Sequence, residues 1–292
     1  MQQQSQAYLL GLAAVLCWST VAAAFKLSLR YLDPIQLLLY SCLASIGVLA
    51  LVLRGQGRFG LMFSYSRREY LQSLALGLLN PFLYYLILLK AYDLLPAQEA
   101  QPLNYTWALT LALLSIPLLK QKLGPKEIAA GLVCYSGVLV ISTRGDLAGL
   151  HFSNPLGVAL ALGSTLIWAL YWIFNIRDRR DPVAGLLLNF LFALPFILLA
   201  CLLFSEFRVS DGRGLLGALY VGVFEMGITY VLWLLALKRS TNAARIGNLI
   251  FISPVFSLVF IHLLVGEEIF PSTLVGLGLI LGGLLIQKLA PR

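Results

Sequence analysis

Apolar stretches long enough to cross a bilayer follow one another from Tyr8 almost to the end of the 292-residue chain, joined by short polar links. A helix crossing the ~30 Å hydrocarbon core takes about 20 such residues and satisfies its own backbone hydrogen bonds there. Soluble folds have no use for this pattern. Here 60% of residues are hydrophobic and 12% charged, against about half and about a quarter in an ordinary soluble domain. The chain reads as membrane throughout, with no room for a soluble domain.

Hydropathy and breaker residues together place ten spans, near 8–29, 34–53, 70–90, 97–118, 126–143, 155–175, 183–204, 214–237, 242–264 and 271–290. Pro34, Pro125, Pro155, Pro182 and Pro271 stand in first turns, where a missing amide proton is no loss. Cleavage of the first span as a signal peptide is not expected, because Met1 to Gln6 carries no Lys or Arg and the apolar stretch exceeds a signal core. With alternate links assigned to opposite faces, 15 of the 21 Lys and Arg residues fall on one side and 6 on the other. That asymmetry places both termini in the cytoplasm of a multi-pass inner-membrane protein.

The net charge of +8 is dispersed over these links rather than gathered in a patch, so no nucleic-acid partner is expected. Cys17, Cys42, Cys134 and Cys201 each lie inside a span, and their spacing suggests neither a disulfide framework nor a metal site. No cofactor is expected.

The second half restates the first. Asp33-Pro34 corresponds to Asp181-Pro182 at an offset of 148, and Tyr84 to Tyr230, Pro125 to Pro271 and Gly137 to Gly283 at 146. Trp18 and Trp168 hold similar places in the first span of each half. The halves divide at about 1–145 and 146–292. Five spans are an odd number, so the second copy enters the membrane the other way round. The expected fold is an all-α membrane protein of ten transmembrane helices, built as two inverted five-helix repeats.

From Thr241 to Ile286 the run TNAARIGNLIFISPVFSLVFIHLLVGEEIFPSTLVGLGLILGGLLI resembles the closing segment of the ten-helix EamA branch of the drug/metabolite transporter superfamily. Ser253-Pro254 interrupts the ninth span, Gly266-Glu267 ends it, and a Gly-rich tenth follows Pro271. The first-half copy departs from the pattern: Ala108 stands where the proline recurs, and KQKLGP where GEEIFP does. The resemblance covers the whole chain, and the run QPLNYTW, Gln101 to Trp107, is similar to the YddG-type exporters of amino acids. It implies a secondary transporter working by alternating access.

Polar groups are expensive in hydrocarbon, so those at mid-span normally face a bundle interior or a watery cavity. In span four, Gln98, Gln101, Asn104 and Tyr105 share an arc of roughly 120°, which the small Ala108 and Ala112 continue. Span six gathers Ser164, Thr165, Trp168, Tyr171, Trp172 and Asn175 on one face, and span three Ser73, Gly77, Asn80 and Tyr84. Asn80, Tyr84, Gln101, Asn104, Tyr105, Trp107, Trp168, Tyr171, Trp172 and Asn175 are therefore candidates for substrate binding. The alternative for aromatic residues is the interfacial belt, which accounts for Tyr31, Tyr65 and Tyr70. For Asn80 and Asn104 it is a hydrogen bond to another helix.

Glu225 is the sharpest single residue, a carboxylate at the centre of span eight that needs a partner or a proton. It reads as a proton carrier, as counter-ion to a substrate ammonium, or as a neutral group bonded within the bundle. Lys26, Lys90 and Arg245 lie near span ends and are expected to snorkel to the headgroups. His262 reads as structural, and Gly278 and Gly282 form a GxxxG match.

The chain contains no HExxH, GxSxG or phosphate-binding GxxxxGK[ST] loop, no intramembrane aspartate pair, and only two His. An enzyme is not expected. The expectation is a gradient-driven exporter of amino acids, aromatic ones included, or of similar small metabolites, with protons as a candidate coupling ion and no requirement to oligomerise. Sugar-phosphate, nucleotide-sugar or drug carriage is the alternative within the same superfamily, but phosphorylated anions need cavity Arg or Lys, and here the basic residues sit at span ends.

Overall fold

The structure, a computed structural model, describes residues 2–119, 125–149, 152–175, 178–239, 249 and 252–289. Arg245 and most of the opening of span nine lie outside them. The described residues form ten helical rods: α1 (Gln2–Ser28), α2 (Pro34–Gly55), α3 (Arg67–Leu94), α4 (Ala97–Tyr105 continuing as Trp107–Leu119), α5 (Pro125–Ser142), α6 (Pro155–Asn175), α7 (Pro182–Phe204), α8 (Gly212–Tyr220 through to Ile228–Arg239), α9 (Ser253–Val265) and α10 (Pro271–Leu289). Six of these, α1, α2, α3, α6, α7 and α8, are long and apolar enough to cross a membrane outright. Shorter apolar helices occupy α5, α9 and α10, and α4 is broken at Thr106.

The starts of the rods follow from local chemistry. Asp33 accepts from the amides of Ile35 and Gln36 while the Gln36 side chain accepts from the Asp33 amide, a reciprocal cap at the head of α2. Ser66 and Glu69 do the same for α3, and Asp181 and Asp211 cap α7 and α8. Large apolar side chains such as Leu9, Leu51, Leu202 and Leu263 are left outside. Only about half of each long span's apolar window is buried within the protein, which leaves the rest of the apolar surface to face lipid.

Two breaks lie in corresponding rods. In α3 the turn widens over Leu78–Leu83, where Pro81 has no amide to donate and Asn80 is extended (φ −147°, ψ 118°). In α8 it widens over Val221–Glu225. Widened turns loosen the helical ladder and re-aim the side chains around them, and both occur beside the cavity described below.

Packing follows the repeat. α1 packs on α8 and α6 on α3; α1 on α9 and α6 on α4; α2 on α8 and α7 on α3. Two pairs, α2 with α7 and α5 with α10, map onto themselves. Adding five to each helix number, cyclically, carries each of these pairs onto another of them or onto itself. This is the arrangement of two inverted five-helix repeats.

The α5–α10 seam shows what the glycines do. A Cβ on Gly276 would lie 2.7 Å from the Gly137 carbonyl oxygen, and one on Gly283 2.7 Å from that of Ala130. Gly278 and Gly282, the GxxxG pair, have nothing within 4 Å of a built Cβ. The close approach therefore uses Gly276 and Gly283, seven residues apart, and the GxxxG face looks away from it.

Candidate functional site

Between the repeats lies a cavity of about 210 Å³, lined from both halves by α1, α3, α4, α6 and α8. It is smaller than the ~300–1,000 Å³ of drug-sized sites, a size suited to a single small metabolite. Of the candidate residues, Tyr84, Gln101, Asn104, Tyr105, Trp107, Trp168, Trp172 and Glu225 all line it. Asn80, Tyr171 and Asn175 do not; the first two are buried behind it. Trp18, Phe25, Leu88, Tyr92 and Trp233 also contribute and carry no span-centre polarity that would single them out. The match of Trp18 to Trp168 across the repeat is the one signal that points to any of them.

Trp168 is the hub of an aromatic wall. Its ring stacks on Tyr84 at 4.5 Å and on Tyr171 at 5.7 Å, and meets Trp107, Trp172 and Tyr230 edge-on. Trp18 meets Tyr230 and Trp233 edge-on from the other side. Such rings offer broad, rigid apolar contact and a negative face that attracts cations. Because the rings brace one another, little rotamer freedom remains to be lost on binding.

Polar groups are few and placed. Tyr84 donates to Asn104 Oδ1 at 3.4 Å, and Asn104 Nδ2 donates to Ser164 Oγ at 3.0 Å. Gln101 Oε1 and Trp172 Nε1 have no partner among the described residues. Glu225 accepts from the Tyr85 hydroxyl at 2.9 Å through Oε1, while Oε2 is unpartnered and Trp18 lies beside it. No Lys, Arg or His is among the cavity-lining residues described. The one formal charge available to a substrate there is negative.

Near the C-terminus of α1 the helices and links are tied together by hydrogen bonds. Lys26 donates to the Tyr92 and Leu95 carbonyls, both at 2.8 Å, capping the end of α3 rather than snorkelling to headgroups. Glu267 accepts from the first amides of α4, Ala97 and Gln98, at 2.8 and 3.1 Å, where a helix start favours an anion. The Gln98 side chain is bonded to the Glu268 carbonyl, the Phe270 amide and Thr273. Beside it Arg144 pairs with the fully buried Glu99 at 2.8 Å. At the opposite end Arg180 pairs with Asp178 at 2.6 Å and bonds to Ser73, and Arg58 pairs with Asp181 at 3.1 Å. Lys90 pairs with the exposed Asp93, and His262 Nδ1 lies 3.0 Å from the Glu267 carbonyl oxygen.

The EamA-like transporter family is matched twice, over residues 5–143 and 155–287. The aromatic amino acid exporter YddG of Ancylobacter novellus is 28% identical over 298 residues, spanning 99% of both chains. An uncharacterized transporter of Archaeoglobus fulgidus is 24% identical over 90% of this chain and 91% of its own. A solved crystal structure superposes with a TM-score of 0.68 at 25% identity, covering 98% of this chain and 99% of the other.

Proposed function

The chain belongs to the EamA-like transporter family, and on that footing we propose that it exports amino acids, aromatic ones included, or closely similar small metabolites. It is a membrane transporter and not an enzyme. The observation that carries the finer reading is the cavity itself: an aromatic enclosure with two amides, one carboxylate and no lining cation among the described residues. The rings take an apolar or aromatic side chain. Glu225 takes the ammonium, and Gln101, Asn104 and the indole N–H groups stand ready for the carboxylate. Phosphorylated anions would meet Glu225 with no compensating Arg or Lys, which disfavours sugar phosphates and nucleotide sugars.

On this reading transport alternates between the two ends of the cavity, and Glu225 couples it to the proton gradient. The halves 1–145 and 146–292 are the two repeats, both termini are cytoplasmic in the inner membrane, and one chain suffices. Purified protein in liposomes, offered labelled amino acids, nucleosides and sugar phosphates with and without a pH gradient, tests this. Uptake of amino acids above the other classes is expected. Preference for a phosphorylated substrate would overturn the assignment.

A further inference from the structure

The link between α2 and α3 carries an apolar pair and a group of cations that the cavity does not use. There the chain makes a short 3₁₀ turn, Phe59–Phe63. The turn packs on α2 and α7, Met62 is buried, and the Met62 carbonyl accepts from the Tyr70 hydroxyl at 2.8 Å. Phe59 and Phe63 are left outside, 40% and 80% exposed, with their rings edge-on at 6.3 Å. A turn held by its buried side thus presents two neighbouring phenyl rings outward.

Cations surround the pair. Arg54 lies in the last turn of α2, Arg58 precedes the 3₁₀ turn, and Arg67 and Arg68 open α3, all of them exposed. The α6–α7 link adds the exposed Arg179. Two contacts pin that link here: Arg58 pairs with Asp181 at 3.1 Å, and Arg180 donates to the Glu69 carbonyl at 3.1 Å. The acids of both links are already committed. Asp178 serves Arg180, Asp181 serves Arg58 and the start of α7, and Glu69 closes the Ser66 cap. Arg54, Arg67, Arg68 and Arg179 form no ion pair among the described residues. Arg67 and Arg68 stand where the helix dipole disfavours cations, so their placement does nothing for α3 itself.

We infer that this face binds the headgroups of anionic phospholipids, with Phe59 and Phe63 seated at the boundary between headgroups and acyl chains. Its depth fits. The exposed Leu51 of α2 and Leu71 of α3 lie about one helical turn from Arg54 and Arg68, so the hydrocarbon begins just inside the cations. Guanidinium groups take phosphate oxygens in pairs, and apolar rings flanked by Arg are how an interfacial segment lies in a charged leaflet. Free phosphate would satisfy the cations and leave the rings in water; a phospholipid satisfies both. On the topology proposed above, this leaflet is the cytoplasmic one, whose anionic lipids give it a negative surface potential.

The test titrates the full chain in detergent micelles with phosphatidylglycerol, phosphatidylcholine or inorganic phosphate and counts what binds by native mass spectrometry. Phosphatidylglycerol is expected to bind at least tenfold more tightly than phosphatidylcholine. One surface Arg contributes about fivefold in affinity for an anionic lipid, so Arg67→Gln combined with Arg68→Gln should weaken phosphatidylglycerol at least tenfold. Arg54→Gln combined with Arg179→Gln should act alike, and stands as the test if the first pair fails to fold. Lys90→Gln combined with Arg208→Gln removes as much charge from the opposite face and should leave the tightest-bound lipid unaffected. Phe59→Ser combined with Phe63→Ser should weaken phosphatidylglycerol severalfold and leave inorganic phosphate as it was. Equal affinity for the two lipids, full phosphatidylglycerol affinity in the arginine pairs, the same loss in the opposite-face pair, no effect of losing the rings, or displacement of phosphatidylglycerol by equimolar inorganic phosphate would each overturn the site. No transport enters the measurement, so its outcome is separate from that of the substrate assignment.

Discussion

Replacing Arg144 by Met removes the guanidinium that faces the Glu99 carboxylate across 2.8 Å. The two side chains are unequally placed, 0% exposed for Glu99 and 48% for Arg144. Stripping a buried ion of its partner costs about 3–5 kcal/mol. Arg144 is half in water already, so its attraction is partly screened, and about 2 kcal/mol is the expected share. The lost packing of Arg144 over the Phe270 ring, 5.1 Å away, adds at most about 1 kcal/mol. Glu99→Gln is a different perturbation: it leaves the cation solvated, retains an oxygen to accept from Arg144 while its NH2 donates to the Ser153 hydroxyl, and should cost under about 1 kcal/mol. Arg144→Met is therefore expected to destabilise by about 2–3 kcal/mol, and the double variant by less than Arg144→Met alone. Unfolding midpoints in detergent micelles measure all three. Equal losses for the two single variants, or strict additivity in the double, would refute the account of Glu99 as the buried, dependent partner.

Trp168→Ala and Tyr105→Ala are expected to impair transport in vesicles while the protein still reaches the membrane; normal transport by both would make these rings packing elements. Glu225→Gln should abolish pH-driven accumulation and weaken the affinity for amine-bearing substrates, with exchange of substrate down its own gradient persisting at saturating concentration, read as counterflow at symmetric pH. Gly276→Leu should destabilise the α5–α10 seam by about 1–3 kcal/mol through overpacking, whereas Gly278→Leu should be near neutral in the same unfolding assay. Tags at both termini should be reached only from the cytoplasmic side in sealed cells, and labelling of a C-terminal tag from outside would overturn the orientation.

The rods were legible because hydrophobicity and breakers act locally. Pro34, Pro155, Pro182 and Pro271 open helices where the residue type alone places them. The repeat was legible for the same reason, since prolines, glycines and caps recur where backbone geometry demands them. The site was legible only in part. Helical periodicity places Asn80 and Tyr84 on one face, but the widened turn at Leu78–Leu83 shifts the angular register between them, so Tyr84 reaches the cavity and Asn80 does not. On α6 a straight helix separates neighbours by 100°, and Trp168 and Trp172 face inward while Tyr171 turns toward α3 and α7. Phe25 and Leu88 carry no polarity to mark them, and only the packing of α1 against α8 and of α3 against α6 reveals their place. Lys26 shows the converse: its position near a helix end suggested headgroups, and the carbonyls of α3 lie closer.

The symmetry of the packing is not carried into the chemistry. At the offset of 146 the counterpart of Glu225 is Leu79, so duplicated halves enclose a single ionisable acid in the described cavity lining. That sets a ceiling on the work one turnover performs through it. On the reading of Glu225 as the coupling carboxyl, one proton moving down one unit of pH releases about 1.4 kcal/mol, enough for about a tenfold ratio, and because its exchange for an uncharged or zwitterionic cargo moves one net charge, about 2.3 kcal/mol is added per 100 mV of membrane potential. A cell with a shallow pH difference would then draw most of the export gradient from its membrane potential.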